Sequence, residues 1–447
     1  MTLLMTLVVA VDGKRKKWFC DGKPYLTLSG RLVPSMTVGQ AYKYLGTSAG
    51  VRTTPPDVRT KLESGLRELT RAPLRPQQRM FILRVHLIPS LYHQLVLDSV
   101  TKNTLAWLDR IIRRQVRGWL RLPHDTPRAM FHANVGDGGL GIPTLVTQVC
   151  IMKRDRMSAL FAYAPNSGDD VLCWLVNCST FVDKFRNQYG TVVLNDAVVT
   201  SKREVRSTLA RNLHGTIDGN GLRQHGAVPY THSWVGDGNQ LMSGRNYIGA
   251  IQLRCNTLYT KGRASRGRRF RESRCGLCRE YESLGHIIQT CARTWALRNK
   301  RHDVLVDRVE QLLRRNGYEV QQEPNIPTPA GVRRPDIVAW VTGSSCIVVD
   351  ATIVADHVDL AAVDLLKRKY YDTPEIRSWA AGSSLCSPES VVFISVAFNW
   401  RGALAKASAD SLLSCGLTKQ DLKLLSVCVV ERGVEIYLFS RRITLRN

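Results

Sequence analysis

The repeat of apolar and polar positions changes period several times along this chain, and each change marks an element. In residues 1–50 short apolar runs surround Asp12-Gly13 and Asp21-Gly22, the dipeptides of tight turns, so a β-hairpin or short meander is expected. After Pro55-Pro56 the period becomes helical over residues 58–98, broken at Pro73, Pro76 and Pro89. A further helix is expected from an N-cap at Thr104 to about Leu122, closed by Pro123. Its Leu105, Leu108, Ile111, Ile112, Val116, Trp119 and Leu120 recur on one face, and Arg110, Arg113, Arg114, Arg117 and Arg121 form an adjoining stripe. Asp109 is the one acid among them. Residues 146–250 mix helical patterns with loops and read as a helical linker. Asp169-Asp170 lacks the flanking apolar strands of a polymerase metal hairpin and reads as an N-cap or loop acid.

The last third has a definite order. Residues 294–316 repeat as a helix, with Gly317 placed as a C-cap. Strands are expected over 318–320, 332–341 and 347–354, a helix over 355–371 and an apolar strand over 391–398. Apolar runs such as Cys346-Ile347-Val348-Val349 suit a strand buried on both faces. The order is αβββαβ.

Charge narrows the partners. The 447 residues carry 63 Lys+Arg against 37 Asp+Glu, a net charge of +26, on an ordinary 44% apolar composition. That favours a polyanion, nucleic acid above all, over a small neutral substrate. No membrane partner is expected, because the N-terminal apolar run is too short to span a bilayer. Twelve cysteines without a disulfide pattern fit a reducing compartment. The arginine stripe reads as a phosphate-contacting face rather than an idle solvated one. Lys261, Arg263, Arg266, Arg268, Arg269, Arg271 and Arg274, with Glu272 the single acid among them, read as a flexible phosphate-binding arm.

Two constellations carry chemistry. Cys275-x2-Cys278-x7-His286-x4-Cys291 has the spacing of a tetrahedral zinc knuckle, whose four protein ligands would make the ion structural. Asp336, after Pro335, and Asp350, at the end of an apolar run, are separated by thirteen residues. Acids at the ends of adjacent strands can share Mg²⁺ or Mn²⁺, which would activate water against a phosphodiester. Lys367, Arg368 and Lys369, beside Tyr370 and Tyr371, could supply a cation for the developing charge.

The Cys-Cys-His-Cys knuckle, Arg334-Pro335-Asp336 and Val348-Val349-Asp350 resemble the C-terminal half of polyproteins from non-LTR retrotransposons with a restriction-like endonuclease. The likeness is to the site-specific R-two class that inserts into ribosomal DNA. Tyr42-Lys43-Tyr44-Leu45-Gly46, Arg71-Ala72-Pro73-Leu74, Pro76-Gln77-Gln78-Arg79, Leu91-Tyr92-His93 and Asp137-Gly138-Gly139-Leu140-Gly141-Ile142-Pro143 are similar to the end of the polymerase palm and the thumb. The resemblance implies a multidomain α and α/β chain. Its parts would be a palm-end hairpin (1–50), a thumb-like helical domain (51–145), a helical linker (146–260), a basic arm and zinc knuckle (261–295) and a restriction-like endonuclease (296–447).

It also implies a mechanism. Metal-dependent nicking of double-stranded target DNA would free a 3′ hydroxyl that primes reverse transcription of the element RNA, in the nucleus. Asp336 and Asp350 would bind Mg²⁺ or Mn²⁺, Lys367 and Tyr371 would act with them, and Cys275, Cys278, His286 and Cys291 would hold zinc. His302, after Arg301, stands where the family tends to place an Arg-His pair. Two departures stand out. Thr352 occupies the place where the wider nuclease superfamily puts lysine, with Lys369-Tyr370 competing with Lys367 for the shifted position. The sequence contains no aromatic-x-Asp-Asp, so polymerase activity is not expected, and the chain reads as the latter part of a longer one. The alternative is a nucleic-acid-binding fragment or co-opted copy without catalysis.

Overall fold

The computed structural model describes residues 9–12, 17–20, 27–28, 30–32, 42–44, 47–49 and 58–444, leaving out 99, 195–196 and 268–271. The chain divides into two compact units, one of residues 1–71, 85–112 and 144–200, the other of 72–84, 113–143 and 201–447. Both helix and sheet are present.

In the first unit Val9–Asp12 pairs antiparallel with Lys17–Cys20, and Tyr42–Tyr44 with Thr47–Ala49. The Asp21-Gly22 turn lies outside the described residues. Leu62, Leu66, Leu91, Leu95, Leu105 and Leu108 are buried at helical spacing, as amphipathic helices require. The helix expected from Thr104 begins earlier, at Lys102–Leu120. The Thr101 hydroxyl accepts the Thr104 amide at 3.2 Å, so the capping group is one turn upstream. Asp109 does not offset its arginine neighbours. It is buried and accepts from Thr144 Oγ1 at 2.9 Å and the Leu145 amide at 2.8 Å, capping the Leu145–Tyr163 helix. Asp169 likewise accepts the Leu172 amide at 3.0 Å, an N-cap.

One helical run, Pro76–Leu97, is long and apolar enough to cross a membrane. Its Arg79 and Arg84 are bonded to the carbonyls of Ala72 and Gly141, and charges at mid-helix are costly in lipid.

The second unit carries the main sheet. Helix α1 (Trp295–Arg315) leads to β1 (Glu319–Gln322), β2 (Ile337–Val341) and β3 (Ser345–Val354). Then follow α2 (Leu360–Tyr371), α3 (Pro374–Ser384), β4 (Val391–Asn399), α4 (Lys406–Ser414) and α5 (Lys419–Thr444). The strand order is β4-β3-β2-β1, with β3 and β4 parallel and the other pairs antiparallel. Alternate residues of β3 serve opposite layers, as the pleat demands. Ile347, Val349 and Ala351 share a core with Val309, Leu313, Leu425 and Val429 of α1 and α5, while Cys346 and Val348 pack with Tyr371, Ile376 and Ala380.

Three features differ from the sequence expectation. The strand expected over 332–341 is two pieces: Gly331–Arg333 pairs in a hairpin with Ile326–Thr328, and Ile337–Val341 joins the sheet. Pro335, between them, has no amide hydrogen for a ladder. The helix expected from 355 starts at Leu360, where Asp359 caps the Ala361 amide at 3.0 Å. Helices α3, α4 and α5 were not expected, although the Thr373 hydroxyl and Pro374 at the first turn of α3 are local start signals.

Candidate functional site

Two carboxylates face each other across the β2–β3 ladder. Ile337 is paired with Val349, so one step outward Asp336 lies opposite Asp350, where side chains approach to about 4.5–5.5 Å. Like charges so placed repel unless a cation or a shared proton intervenes. Burial first, then the Asp336 charge, raises the Asp350 carboxyl above its ordinary range. Asp336 Oδ2 accepts the Ala351 amide at 2.7 Å and lies 3.3 Å from His302 Nε2. That bond to Asp336 outweighs burial and lifts the His302 imidazole to about 9, leaving it protonated at neutral pH.

Helix α2 closes the opposite side. Lys367 Nζ is 2.8 Å from Asp350 Oδ2, whereas Lys369 is exposed. Lys367 and Tyr371 both offset part of the rise at Asp350. Tyr371 donates to the Arg334 carbonyl at 3.1 Å, and burial followed by the Asp350 charge pushes its phenol upward, so it stays neutral. A buried carboxylate beside a second carboxylate fits a hard divalent cation. Two protein carboxylates alone would leave positions for water and phosphate.

The cysteine cluster is of another kind. The ligating atoms of Cys275, Cys278, His286 and Cys291 all lie within 4.8 Å of one another. Cys278 Sγ is 3.8 Å from Cys291 Sγ, against the ~3.8 Å edge of a tetrahedron with 2.3 Å zinc–sulfur bonds. The Thr290 hydroxyl lies 3.1 Å from His286 Nδ1, the outer nitrogen whose partner orients a ligand imidazole. Burial pushes the Cys291 thiol up to about 12, with Cys275 and Cys278 adding to the shift. A bound cation reverses such a shift by stabilising the thiolate. The residues therefore fit zinc, with no position left open.

No protein-family model matches the chain. Curated relatives do. The chain is 34% identical over 406 residues to the Pol polyprotein of the type-2 retrotransposable element R2DM of Drosophila melanogaster, covering 89% of this chain and 37% of the relative. It is 31% identical over 435 residues to the type-1 element R2 Pol polyprotein of Nasonia vitripennis, covering 95% and 40%. An R2 Pol polyprotein of Popillia japonica is 32% identical over 354 residues, covering 78% of this chain and 70% of the relative. The chain belongs to the R2 retrotransposon Pol polyproteins. It spans between 37% and 47% of the length of the first three relatives.

In this R2 Pol segment the basic residues divide. Arg110, Arg114 and Arg121 are exposed. Arg113 lies 3.0 Å from His132 Nε2, and Arg117 stacks 4.9 Å over Phe131. The basic run is no free arm at its start, contrary to the expectation. Lys261–Ala264 is a helical turn capped by Thr260, and Lys261 pairs with Glu272 at 3.1 Å. Arg263, 9% exposed, is held by Asp218 at 2.7 Å and Asp125 at 2.8 Å, and Arg266 by Asp218 at 2.8 Å. The partner carboxylates are distant in sequence, so the run itself could not reveal them. Arg274 donates to the Arg279 carbonyl at 3.2 Å. Arg268, Arg269 and Arg271 lie outside the described residues. Sequence reasoning also missed Gln289, which donates to the Ile353 carbonyl at 2.9 Å while Arg298 and Arg301 bond to it. It ties the knuckle to β3 and α1.

Proposed function

We propose that this chain is the C-terminal part of a reverse transcriptase/endonuclease polyprotein, and that its second unit cuts one strand of target DNA in a metal-dependent hydrolysis. The observation that carries the reading is the cross-strand pair Asp336–Asp350 with Lys367 Nζ 2.8 Å from the buried Asp350 carboxylate. Asp336 and Asp350 would hold Mg²⁺ or Mn²⁺, which when bound supplies Lewis acidity and an acidified water. His302 holds the Asp336 carboxylate in place through its Nε2, 3.3 Å from Oδ2. Lys367 balances charge at Asp350 and, when the carboxylates are engaged, is placed to stabilise a phosphate oxygen. Tyr371, anchored on Arg334, walls the site. The Cys3His knuckle would hold zinc and fix the chain leading into α1. Arg110, Arg114 and Arg121 would contact a nucleic-acid backbone, the element RNA or the primer duplex. The domain parts and nuclear location stated above belong to the same proposal, as does priming of element RNA copying by the nicked strand.

The test is relaxation of supercoiled plasmid in Mg²⁺ by the zinc-loaded chain and by its Asp336→Ala and Asp350→Ala variants. The wild type is expected to nick and both variants to lose nicking. Equal activity in the variants would remove the catalytic assignment, and tight DNA binding without nicking by the wild type would favour a purely binding fragment.

A further inference from the structure

A cleft of 1030 Å³ opens in the second unit at the C-terminal ends of the parallel strands β3 and β4. Ligands of open α/β sheets collect outside the carboxyl ends of strands. Ala355, Asp356 and His357, just past β3, line one side, and Trp400 and Arg401, just past β4, line the floor. The opposite wall comes from the knuckle and the turn before it, with Arg263, Arg266, Tyr281 and Gln289.

Polar accounting fails at the floor. Trp400 and Arg401 are 1% and 3% exposed, and the indole Nε1–H and the Arg401 Nε–H have no acceptor among the described residues. Buried donors of this kind are rare without a partner. The remaining Arg401 nitrogens are committed, to the Asp218 carbonyl at 2.7 Å and the Asp356 carboxylate at 2.6 Å. Four guanidiniums, of Arg223, Arg263, Arg266 and Arg401, line the cleft against the carboxylates of Asp356 and Asp359, with Asp218 behind Arg263 and Arg266. Arg223, exposed at the rim, has no ion-pair partner among the described residues. Tyr281 is 56% exposed. Its phenol end lies against Gly262, where a Cβ would come within 2.7 Å, and much of the ring surface faces solvent.

We infer that this cleft receives one or two unpaired nucleotides of DNA, the base stacked on Tyr281 and the phosphate held by Arg223 and Arg266. The buried donors of Trp400 and Arg401 would meet acceptors on the inserted nucleotide. The volume matches a small-ligand pocket and not a double helix. Guanidiniums suit phosphate, and an exposed aromatic ring suits any base. Ala355, just past the end of β3, lies five residues beyond Asp350, ~16 Å of extended chain. Phosphates advance about 3.4 Å each along a duplex strand, so one strand can pass the acids and reach the cleft some five nucleotides on. The identity of that strand rests on the nuclease reading, while the cleft's preference for unpaired bases does not.

The test uses the zinc-loaded full chain without divalent metal. Its affinity for a labelled duplex is compared by fluorescence anisotropy with that for the same duplex carrying a short unpaired flap. The flap is expected to bind about tenfold tighter, within the roughly 5- to 150-fold that stacking one base provides. Tyr281→Ala should erase the preference, Tyr281→Phe should keep it, and Arg223→Ala, a change at an exposed rim residue, should weaken the flap more than the duplex. Equal wild-type affinity for the two probes, or a preference that survives Tyr281→Ala in a folded variant, would overturn the inference. Loss of the preference in Tyr281→Phe as well would also overturn it. A chain that prefers the flap through Tyr281 but never nicks plasmid upholds the cleft and removes the nuclease reading.

Discussion

The cysteine knuckle and the acid pair of this chain contrast in nearly every physical respect. The knuckle takes its four ligands from one short stretch, Cys275 to Cys291, and packs them within 4.8 Å, a complete tetrahedral set. The acid pair takes Asp336 from the residue before β2 and Asp350 from β3, sets them opposite each other, and brings Lys367 to 2.8 Å from Asp350. The first arrangement is saturated by the protein and can only stabilise. The second holds like charges together by the ladder, relieved by Lys367 and His302, and on the proposed reading it would leave room for water and a phosphate. The fold supports one with the other, since Gln289 on the knuckle reaches the Ile353 carbonyl of the same strand that carries Asp350.

The strongest way to break the comparison is to remove each cation separately. Stripping zinc with a chelator, or Cys278→Ser, should lower the unfolding temperature by roughly 10 °C or more, because structural zinc binding is coupled to folding. Omitting Mg²⁺ should leave the apparent fold intact. Calorimetry distinguishes the two, and an equal thermal penalty for both treatments would erase the distinction. Asp350→Asn should keep the fold, seen by circular dichroism, and lower the nicking rate by about 10³-fold or more, the scale of a lost catalytic metal.

Smaller effects sharpen the picture around the acids. Lys367→Ala should cost about 10²–10³-fold in nicking, as loss of a preorganised charge-stabilising donor does. Lys369→Ala, exposed on the same helix, should change the rate by less than about twofold. A larger loss at Lys369 would exchange their roles. Last is a pH effect in metal-free buffer. The folded imidazole of His302 keeps its proton to about 9 against an ordinary 6.5. Its stabilising contribution is therefore complete below pH 6.5 and is lost as pH rises through 9. Thermal melts should show a fall in stability across that window, and His302→Gln should flatten it.

What was legible in the sequence follows the range of the forces involved. The thiol cluster is local, and spacing alone delivered it. The apolar run ending at Asp350 announced one strand-borne acid, since burial on both faces leaves a continuous hydrophobic signature, while Asp336, expected on a strand, sits in the bend just before β2. Their registry, by contrast, depends on the break at Pro335, which divided one expected strand into two pairings. The choice between Lys367 and Lys369 depends on how α2 is rotated over the sheet, and Lys367 is the one the helix turns to Asp350. Asp109 and Arg263 show the limit most clearly. Each looked like part of a charge run, and each is committed to a partner far along the chain: Asp109 to the start of another helix, Arg263 to Asp218 and Asp125. Charge counting reads composition, whereas burial and long-range pairing decide which charges remain available.

The central claim is that the acids of β2 and β3 form an open divalent site distinct from the closed knuckle. Titration of the zinc-loaded chain with Mn²⁺, followed by electron paramagnetic resonance, measures it directly. The account predicts saturable Mn²⁺ binding with zinc retained, abolished in Asp350→Asn and untouched by Lys369→Ala. Mn²⁺ binding of equal strength in wild type and Asp350→Asn, or binding that appears only when zinc is displaced, would contradict it.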